Sequence, residues 1–408
     1  MKVLQINATL GYTSTGIIAK DIGDLINAEG GESFYAYQTC PNPPQNSKRI
    51  GNLLDWKIHA LLCRISGKQA YFSSGATKRF LKYISSIKPD VVHLHNLHSN
   101  YINLNLLLQF LKSKKIYTVI TMHDCWYFTG KCFHYIDIGC EKFKKGCGNC
   151  PKKNAPPESW LFDCSKKVLT DKYENLSQIP RVTLVGCSKW ICNEITKSVL
   201  KDLKVRHIYN GVDVNLFKPY DNSELREKYN LDASCNVIMG MANKWLLKSN
   251  KELFERTLGL LNENTRLMLV GCNKHQIDYL KRSSEYIIPV EFIKGREELA
   301  RHYSLGNVFV NPTHADTLPT VNMESVCCGT PVITYDSCGS PELVLDGCGK
   351  VVSEYDVSSM ISAIGEKQSG IDEQTLREAR TQFDKNNCYK KYLQIYREAL
   401  SEEGVSRC

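Results

Sequence analysis

The sequence predicts an α/β protein with two doubly wound parallel-sheet domains facing one cleft. Three observations carry this. Short apolar runs alternate with helical segments, and the pattern occurs twice along 408 residues. An Asn210-Gly211 turn separates the two series. Near the C-terminal third, residues 311–344 lay out a strand end, an acid-bearing loop, a helix and another strand. That is the arrangement of a ligand crevice at the carboxyl edge of an open sheet.

Taken in order, residues 2–7 read as a first strand, followed by a Gly/Ser/Thr loop, Gly11 to Gly16, and a helix over 17–28. Backbone amides at such a helix start suit an anion. The loop has neither the Gly-Lys-Ser/Thr of a P-loop nor the spacing of a dinucleotide fingerprint. Strands at 90–94 and 117–122 deliver His95, Asn96 and His98, then His123 and Asp124, to one sheet edge. The residues leave a structural and a catalytic role equally open for these histidines. Strands over 182–185 and 205–208 complete the first series, and a helix over 223–229 follows the boundary. The second series has strands at 236–241, 266–271, 290–295, 308–310 and 330–334, with a helix over 297–303 and another after Cys338. A final helix, 386–400, aligns Tyr389, Tyr392, Ile395 and Tyr396 on one face. The domains are therefore expected at 1–210 and 211–385, with 386–408 as the terminal helix.

Composition sets bounds. The chain is 42% hydrophobic, enough for two real cores, and carries a net charge of +9. Neither the N-terminus nor any later stretch reads as a signal peptide or a membrane span, so a cytoplasmic protein is expected. Basic clusters at 112–115, 142–145 and 152–153 lean towards a peripheral contact with the inner face of an anionic membrane. Eighteen cysteines without an export signal read as thiols or metal ligands.

Five of them crowd the insertion at 125–151. Its Cys147-Gly-Asn-Cys150-Pro151 end has the shape of a tetrahedral zinc knuckle, which Cys132 and Cys140 could complete, with His134 as substitute. Structural zinc and free thiols both fit. The insertion reads as short of core-forming residues, which would leave a metal to hold it together. Its aromatics, Trp126, Tyr127, Phe128, Phe133 and Tyr135, would suit an acceptor-facing surface.

The chemical content of 311–344 lies in two acids, Asp316 on the loop and Glu324 on the helix behind it. A carboxylate so placed accepts well from paired hydroxyls. Followed by Cys328-Gly329-Thr330-Pro331-Val332, these acids resemble the donor-binding signature of retaining glycosyltransferases of family 4. The run IYNGVDVNLFKP, ending at Pro219, is similar to that family's inter-domain hinge. The resemblance implies the GT-B fold: two Rossmann-like domains and a C-terminal helix crossing back to the first. It implies that Glu324 grips the nucleotide ribose, and that Asp316, standing where Glu is usual, contacts the transferred sugar together with His123. Gly16 would face the donor phosphates, and Thr317, Leu318 and Asn210 would line the donor site. The loop after the 236–241 strand would supply two cations to the diphosphate, Lys244 and Lys248, with Lys251 in reserve. This loop departs from the family's Gly-Arg…Lys-Gly register. The His123-Asp124-Cys125-Trp126 segment with downstream cysteines is similar to that of colanic acid and exopolysaccharide glycosyltransferases.

The expected function is thus transfer, with retention and without a catalytic metal, of a sugar from a UDP- or GDP-sugar to a glycan or polyprenyl-linked acceptor in bacterial surface polysaccharide (capsule) synthesis. A nucleotide-sugar epimerase on the same fold is the enzymatic alternative. A zinc-stabilised nucleic-acid-binding protein would explain charge and cysteines but leaves Asp316 and Glu324 without a role, so nucleic acid is not expected as a partner.

Overall fold

The structure is a computed structural model that describes residues 1–366 and 368–406, with side chains described as far as Ser401. It divides into two compact units, Met1–Asn210 with Cys388–Cys408, and Gly211–Asn387. The first unit holds a seven-stranded parallel sheet: β1 (Lys2–Ile6), β2 (Glu32–Tyr37), β3 (Ser47–Arg49), β4 (Val91–Leu94), β5 (Tyr117–Met122), β6 (Val182–Gly186) and β7 (Val205–His207). Their order is β3-β2-β1-β4-β5-β6-β7. The second unit repeats the plan with β8 (Asn236–Met241), β9 (Thr265–Cys272), β10 (Ile287–Glu291), β11 (Val308–Asn311), β12 (Val332–Tyr335) and β13 (Gly349–Val352), ordered β10-β9-β8-β11-β12-β13.

In each sheet the winding reverses once, between β1 and β4 and between β8 and β11. Successive connections there leave on opposite faces, so the loops after those strands diverge and open a crevice. The central strands are buried on both faces, as parallel strands covered by helices must be. All residues of β4, β5, β11 and β12 are buried, which is why they read as short, mostly apolar runs.

The C-terminal helix, Lys385–Ser406, supplies part of the first unit's core. Tyr389, Tyr392, Leu393 and Tyr396 pack with Val3, Ile18, Ile22, Val91, Val119 and Val185. Polar bolts fix the register of this packing. Tyr396 Oη and His93 Nδ1 lie 2.7 Å apart, His93 Nε2 lies 2.7 Å from Thr121 Oγ1, and Tyr392 Oη is 2.9 Å from that same hydroxyl. Within the second unit, Val212 bridges Asp384, and Lys385 pairs with Asp213 at 2.9 Å. A Cβ at Gly211 would sit 2.2 Å from Lys385 Cα, so only glycine fits at this turn.

Several expectations shift. The edge strand β10 lies at Ile287–Glu291 rather than 290–295, because Pro289, which cannot donate to a ladder, is tolerated on an edge and does not end the strand. Phe292 beyond it is exposed. The strand expected at 330–334 runs Val332–Tyr335, and the helix expected after Cys338 is a single 3-10 turn, Pro341–Leu343. The insertion builds its own core rather than lacking one. Trp126, Tyr127, Phe128, Tyr135 and Phe143 are buried, with Tyr135 stacked on Phe143 at 4.3 Å and Phe128 against Phe143 at 5.6 Å. Those aromatics are core, not an acceptor-facing surface. No helix among the described residues is long and apolar enough to cross a membrane.

Tyr396→Phe leaves His93 Nδ1 buried without its partner, which costs ~1–3 kcal/mol. We expect the urea midpoint of the first unit, followed by Trp126 fluorescence, to fall accordingly. An unchanged midpoint would show that the bolt contributes no stability.

Candidate active site

In the second unit the site grows from the loops after β8 and β11. The short helix Ala242–Trp245 turns Trp245 inward, where Nε1–H donates to Val310 O at 3.0 Å. This rotation sends Lys244 to the sheet edge. Its ammonium donates to Thr313 Oγ1 at 3.1 Å and lies 3.5 Å from Asp316 Oδ2. Asp316 is held by its own loop: its Oδ1 accepts from Leu318 N–H at 3.2 Å, and its carbonyl accepts from Gly339 N–H at 3.3 Å. Thr317 and Leu318 are buried beside it. Thr317 Oγ1 has no hydrogen-bond partner among the described residues.

Asn250 welds the two loops. Buried, it donates from Nδ2 to Lys244 O and to Pro312 O, both at 2.8 Å, while its Oδ1 lies 3.0 Å from His314 Nε2. His314 is in turn stacked between Tyr335 and Tyr355 at 4.8 and 4.2 Å. Sequence reasoning missed both residues. A polar residue just ahead of a helix start reads as a cap, and only the structure shows Asn250 turned into the fold.

Glu324 sits on the helix Thr320–Cys327, and Tyr303 Oη donates to its Oε2 at 3.2 Å. Burial pushes this carboxyl above the usual range, opposed by the charge of Arg296 and the Tyr303 hydrogen bond. The structure thus brings Lys244, Asp316, Thr317 and Leu318 together, with Glu324 on the helix that follows. It leaves Lys248 out: exposed at the start of the turn Lys248–Asn250, it makes no ion pair with the acid loop among the described residues. Lys251 pairs instead with Glu255 on its own helix.

In the first unit the histidines at the ends of β4 and β5 form a connected row. Gln5 Oε1 is 2.8 Å from His95 Nε2, and His95 Nδ1 is 3.0 Å from His123 Nε2. A glutamine oxygen can only accept, so the network assigns the proton of His95 to Nε2 and that of His123 to its own Nε2. His123 Nδ1 then carries a lone pair, and it has no partner among the described residues. Such an atom can accept a hydrogen bond from a hydroxyl. Burial pushes His123 down to about 4, partly offset by Asp124, so the ring is neutral near pH 7. Asp124 pairs with His98 at 3.0 Å and accepts from Trp126 N–H. Burial would raise its carboxyl, but His98 and these hydrogen bonds hold it below the usual range.

Gly16 lies in the first turn of the helix Ser14–Ala28, where a Cβ would stand 2.8 Å from Thr9 Oγ1 and 3.0 Å from Thr9 O. The loop therefore approaches the helix as only glycine permits. Asn210, buried at the end of this unit, leaves Oδ1 without a hydrogen bond among the described residues.

No group of three or more His, Cys, Asp or Glu among the described residues is placed to hold a metal ion. Cys132 hydrogen bonds Cys150, which draws the Cys150 thiol below its usual range. Cys147 Sγ accepts from Gly130 N–H at 3.2 Å. Lys131 fills the adjoining space by donating to the carbonyls of Lys152, Lys153 and Ala155.

Two such units, each with its crevice at a single winding reversal, define the GT-B class of glycosyltransferases. Residues 28–216 match the model of Glycosyltransferase Family 4, and residues 239–367 that of Glycosyl transferases group 1. The chain belongs to glycosyltransferase family 4. It is 23% identical over 381 residues to WcaC of Escherichia coli (strain K12), assigned to colanic acid biosynthesis as a glycosyl transferase, with 88% of this chain and 89% of that protein covered. Sucrose-phosphate synthase of Thermosynechococcus elongatus has the same fold, at TM-score 0.70 and 16% identity over 98% and 99% of the two chains. So does Anabaena HepE, solved with UDP-glucose, at TM-score 0.63 and 14% identity over 98% and 100%.

The histidine row makes the first unit acid-labile. Burial holds His93 and His95 well below their usual range, and His123 titrates at about 4. In the unfolded chain all three titrate near ~6.5. Between these values only the unfolded state binds the protons, so stability falls as pH drops through that window. Thermal unfolding of the wild type should decline from about pH 6.5 towards 4, and less steeply in His123→Gln. Identical slopes would show that His123 is not held neutral.

Proposed function

We propose that this glycosyltransferase acts with retention, taking a sugar from a nucleoside-diphosphate sugar and placing it on a glycan or polyprenyl-linked acceptor during bacterial surface polysaccharide synthesis. The observation that carries the proposal is the Lys244–Asp316 pair at the reversal point of the second sheet, with the partly desolvated Glu324 on the adjoining helix. A cation beside a hydroxyl-accepting carboxylate is what a sugar attached to a diphosphate requires. The named role of WcaC in colanic acid biosynthesis supports the pathway, and the HepE structures with UDP and UDP-glucose support the donor class.

In the proposed reaction the acceptor oxygen attacks the anomeric carbon from the face the diphosphate leaves. The glycosidic C–O bond forms as the bond to the diphosphate breaks, and the acceptor proton passes to a diphosphate oxygen. Lys244 exchanges Asp316 for the departing phosphate and steadies its growing negative charge, a role that needs no metal. Glu324 accepts from the ribose hydroxyls. Asp316, freed from Lys244, accepts from a sugar hydroxyl, and in the first unit His123 Nδ1 is a hydroxyl acceptor in its own right, its neutral ring suiting a hydroxyl better than an imidazolium would.

Donor release followed by mass spectrometry over a panel of nucleotide sugars, with and without mixed lipid and glycan acceptors, tests this. Acceptor-stimulated release from one donor is expected, undiminished by chelator. Isomerised donor with no release would instead identify an epimerase. Lys244→Ala should lower kcat/KM by about 100-fold, the loss of one charge-stabilising group, whereas Lys248→Ala should change it by less than about threefold. The reverse ranking would displace Lys244 from the diphosphate.

Glu324→Gln separates binding from stability. Because burial raises this carboxyl in the folded state, its ionisation is a cost that appears as pH rises above the unfolded value. The neutral amide should melt no lower than the wild type at pH 7, yet bind donor roughly 10–100-fold more weakly. Lower melting with unchanged donor affinity would make Glu324 a structural residue only.

A further inference from the structure

The helix Leu53–Ser66 is turned inside out. Its buried side chains are His59, Ala60 and Cys63, while Leu54, Ile58 and Leu61 project into solvent. His59 is accommodated inside by Ser73 Oγ, 2.7 Å from its Nδ1, and by the edge of Phe72. An ordinary surface helix does the opposite, burying its leucines and showing its polar groups. At the helix's C-terminal end this apolar stripe continues into a second one. Trp160 N–H donates to Arg64 O at 2.6 Å, which fixes the exposed run Trp160-Leu161-Phe162 beside the helix. These six side chains are each between 49% and 65% exposed. Their concentration on one patch is unlike the scattered apolar residues normal on a soluble surface.

Cations frame the patch. Residues 53–68 carry Lys57, Arg64 and Lys68 against Asp55 alone, and residues 152–167 carry four lysines against two acids, Lys152 and Lys167 pairing with Asp137 and Asp171 outside that run. Lys57 and Lys166 are exposed, Arg64 is exposed and pairs with Glu158 at 3.5 Å, and Lys153 Nζ donates to Leu161 O at 2.9 Å. Leucines, a tryptophan and a phenylalanine flanked by lysine and arginine are the chemistry of a segment that lies in the headgroup layer of an anionic bilayer. A hydrophobic protein interface would not call for this cationic rim.

We propose that the helix Leu53–Ser66 and the run 160–162 form the face by which this protein docks on an anionic lipid surface. The docking stands on this surface alone and does not depend on the donor chemistry. Its energy has two parts, insertion of the apolar side chains and attraction of the cations to lipid phosphate, so both must be needed.

Flotation of the full chain with vesicles of phosphatidylcholine, with or without phosphatidylglycerol, tests the proposal. The wild type should float with the anionic vesicles at low salt, and at least tenfold less with neutral vesicles or at high salt. Leu54→Asp/Leu61→Asp and, separately, Trp160→Ala/Phe162→Ala should lower binding at least tenfold while melting like the wild type and releasing nucleotide from soluble donor as before. Failure of the wild type to float would overturn the proposal, as would undiminished binding by both variants. A wild-type dimer in light scattering that Leu54→Asp/Leu61→Asp makes monomeric would overturn it too, because the face would then join two copies of the chain.

Discussion

A parallel sheet cannot satisfy the loops at its own carboxyl edge. Each strand ends with the same polarity, and its connection must leave over one face or the other. Where the winding reverses, neighbouring loops part and their backbone groups and side chains are left facing a gap. Both sheets of this protein place their chemistry there. Lys244 follows β8 and Asp316 follows β11, while the glycine loop follows β1 and His95 follows β4. The site residues are scattered in sequence because the reversal, rather than chain proximity, selects them.

A gap is useful only if its walls hold still. In the second unit the walls are fixed by Asn250, whose amide ties the carbonyls of Lys244 and Pro312 and whose oxygen meets His314. Three bonds from one buried amide set the lysine loop against the acid loop, and the half-buried Lys244–Asp316 ion pair adds to them. The first unit uses a different device. Gln5, as a pure acceptor at its oxygen, dictates the protonation of His95 and through it that of His123. Orientation and tautomer are thereby settled before any ligand arrives.

Much of this was legible in the residues. Buried parallel strands declare themselves as short apolar runs, which is why the strands at 117–122 and 236–241 fell where the structure has them. The acid-bearing stretch was legible because its residues are contiguous. What escaped depends on distance or rotation. Gln5 and His95 are ninety positions apart, and nothing local announces their bond. Lys244 and Lys248 look alike in sequence, and only the inward turn of Trp245 shows that Lys244 is the one beside Asp316. The core of the insertion escaped for another reason: its cysteines are conspicuous, whereas the stack of Tyr135, Phe143 and Phe128 is visible only when three separate turns are folded together.

The bolt between the C-terminal helix and His93 has a consequence for biosynthesis. The second unit, 211–387, has its own sheet and its own core, and every residue it needs has been made before the last helix is complete. The first unit is different. Its sheet is finished by residue 207, but Tyr392 and Tyr396, which cover Val91, Val119 and His93, are translated nearly two hundred residues later. The first unit is therefore completed only after the second has been made. Through the synthesis of nearly two hundred residues, one face of its sheet lacks its proper cover, an interval in which a nascent chain depends on chaperones to stay soluble.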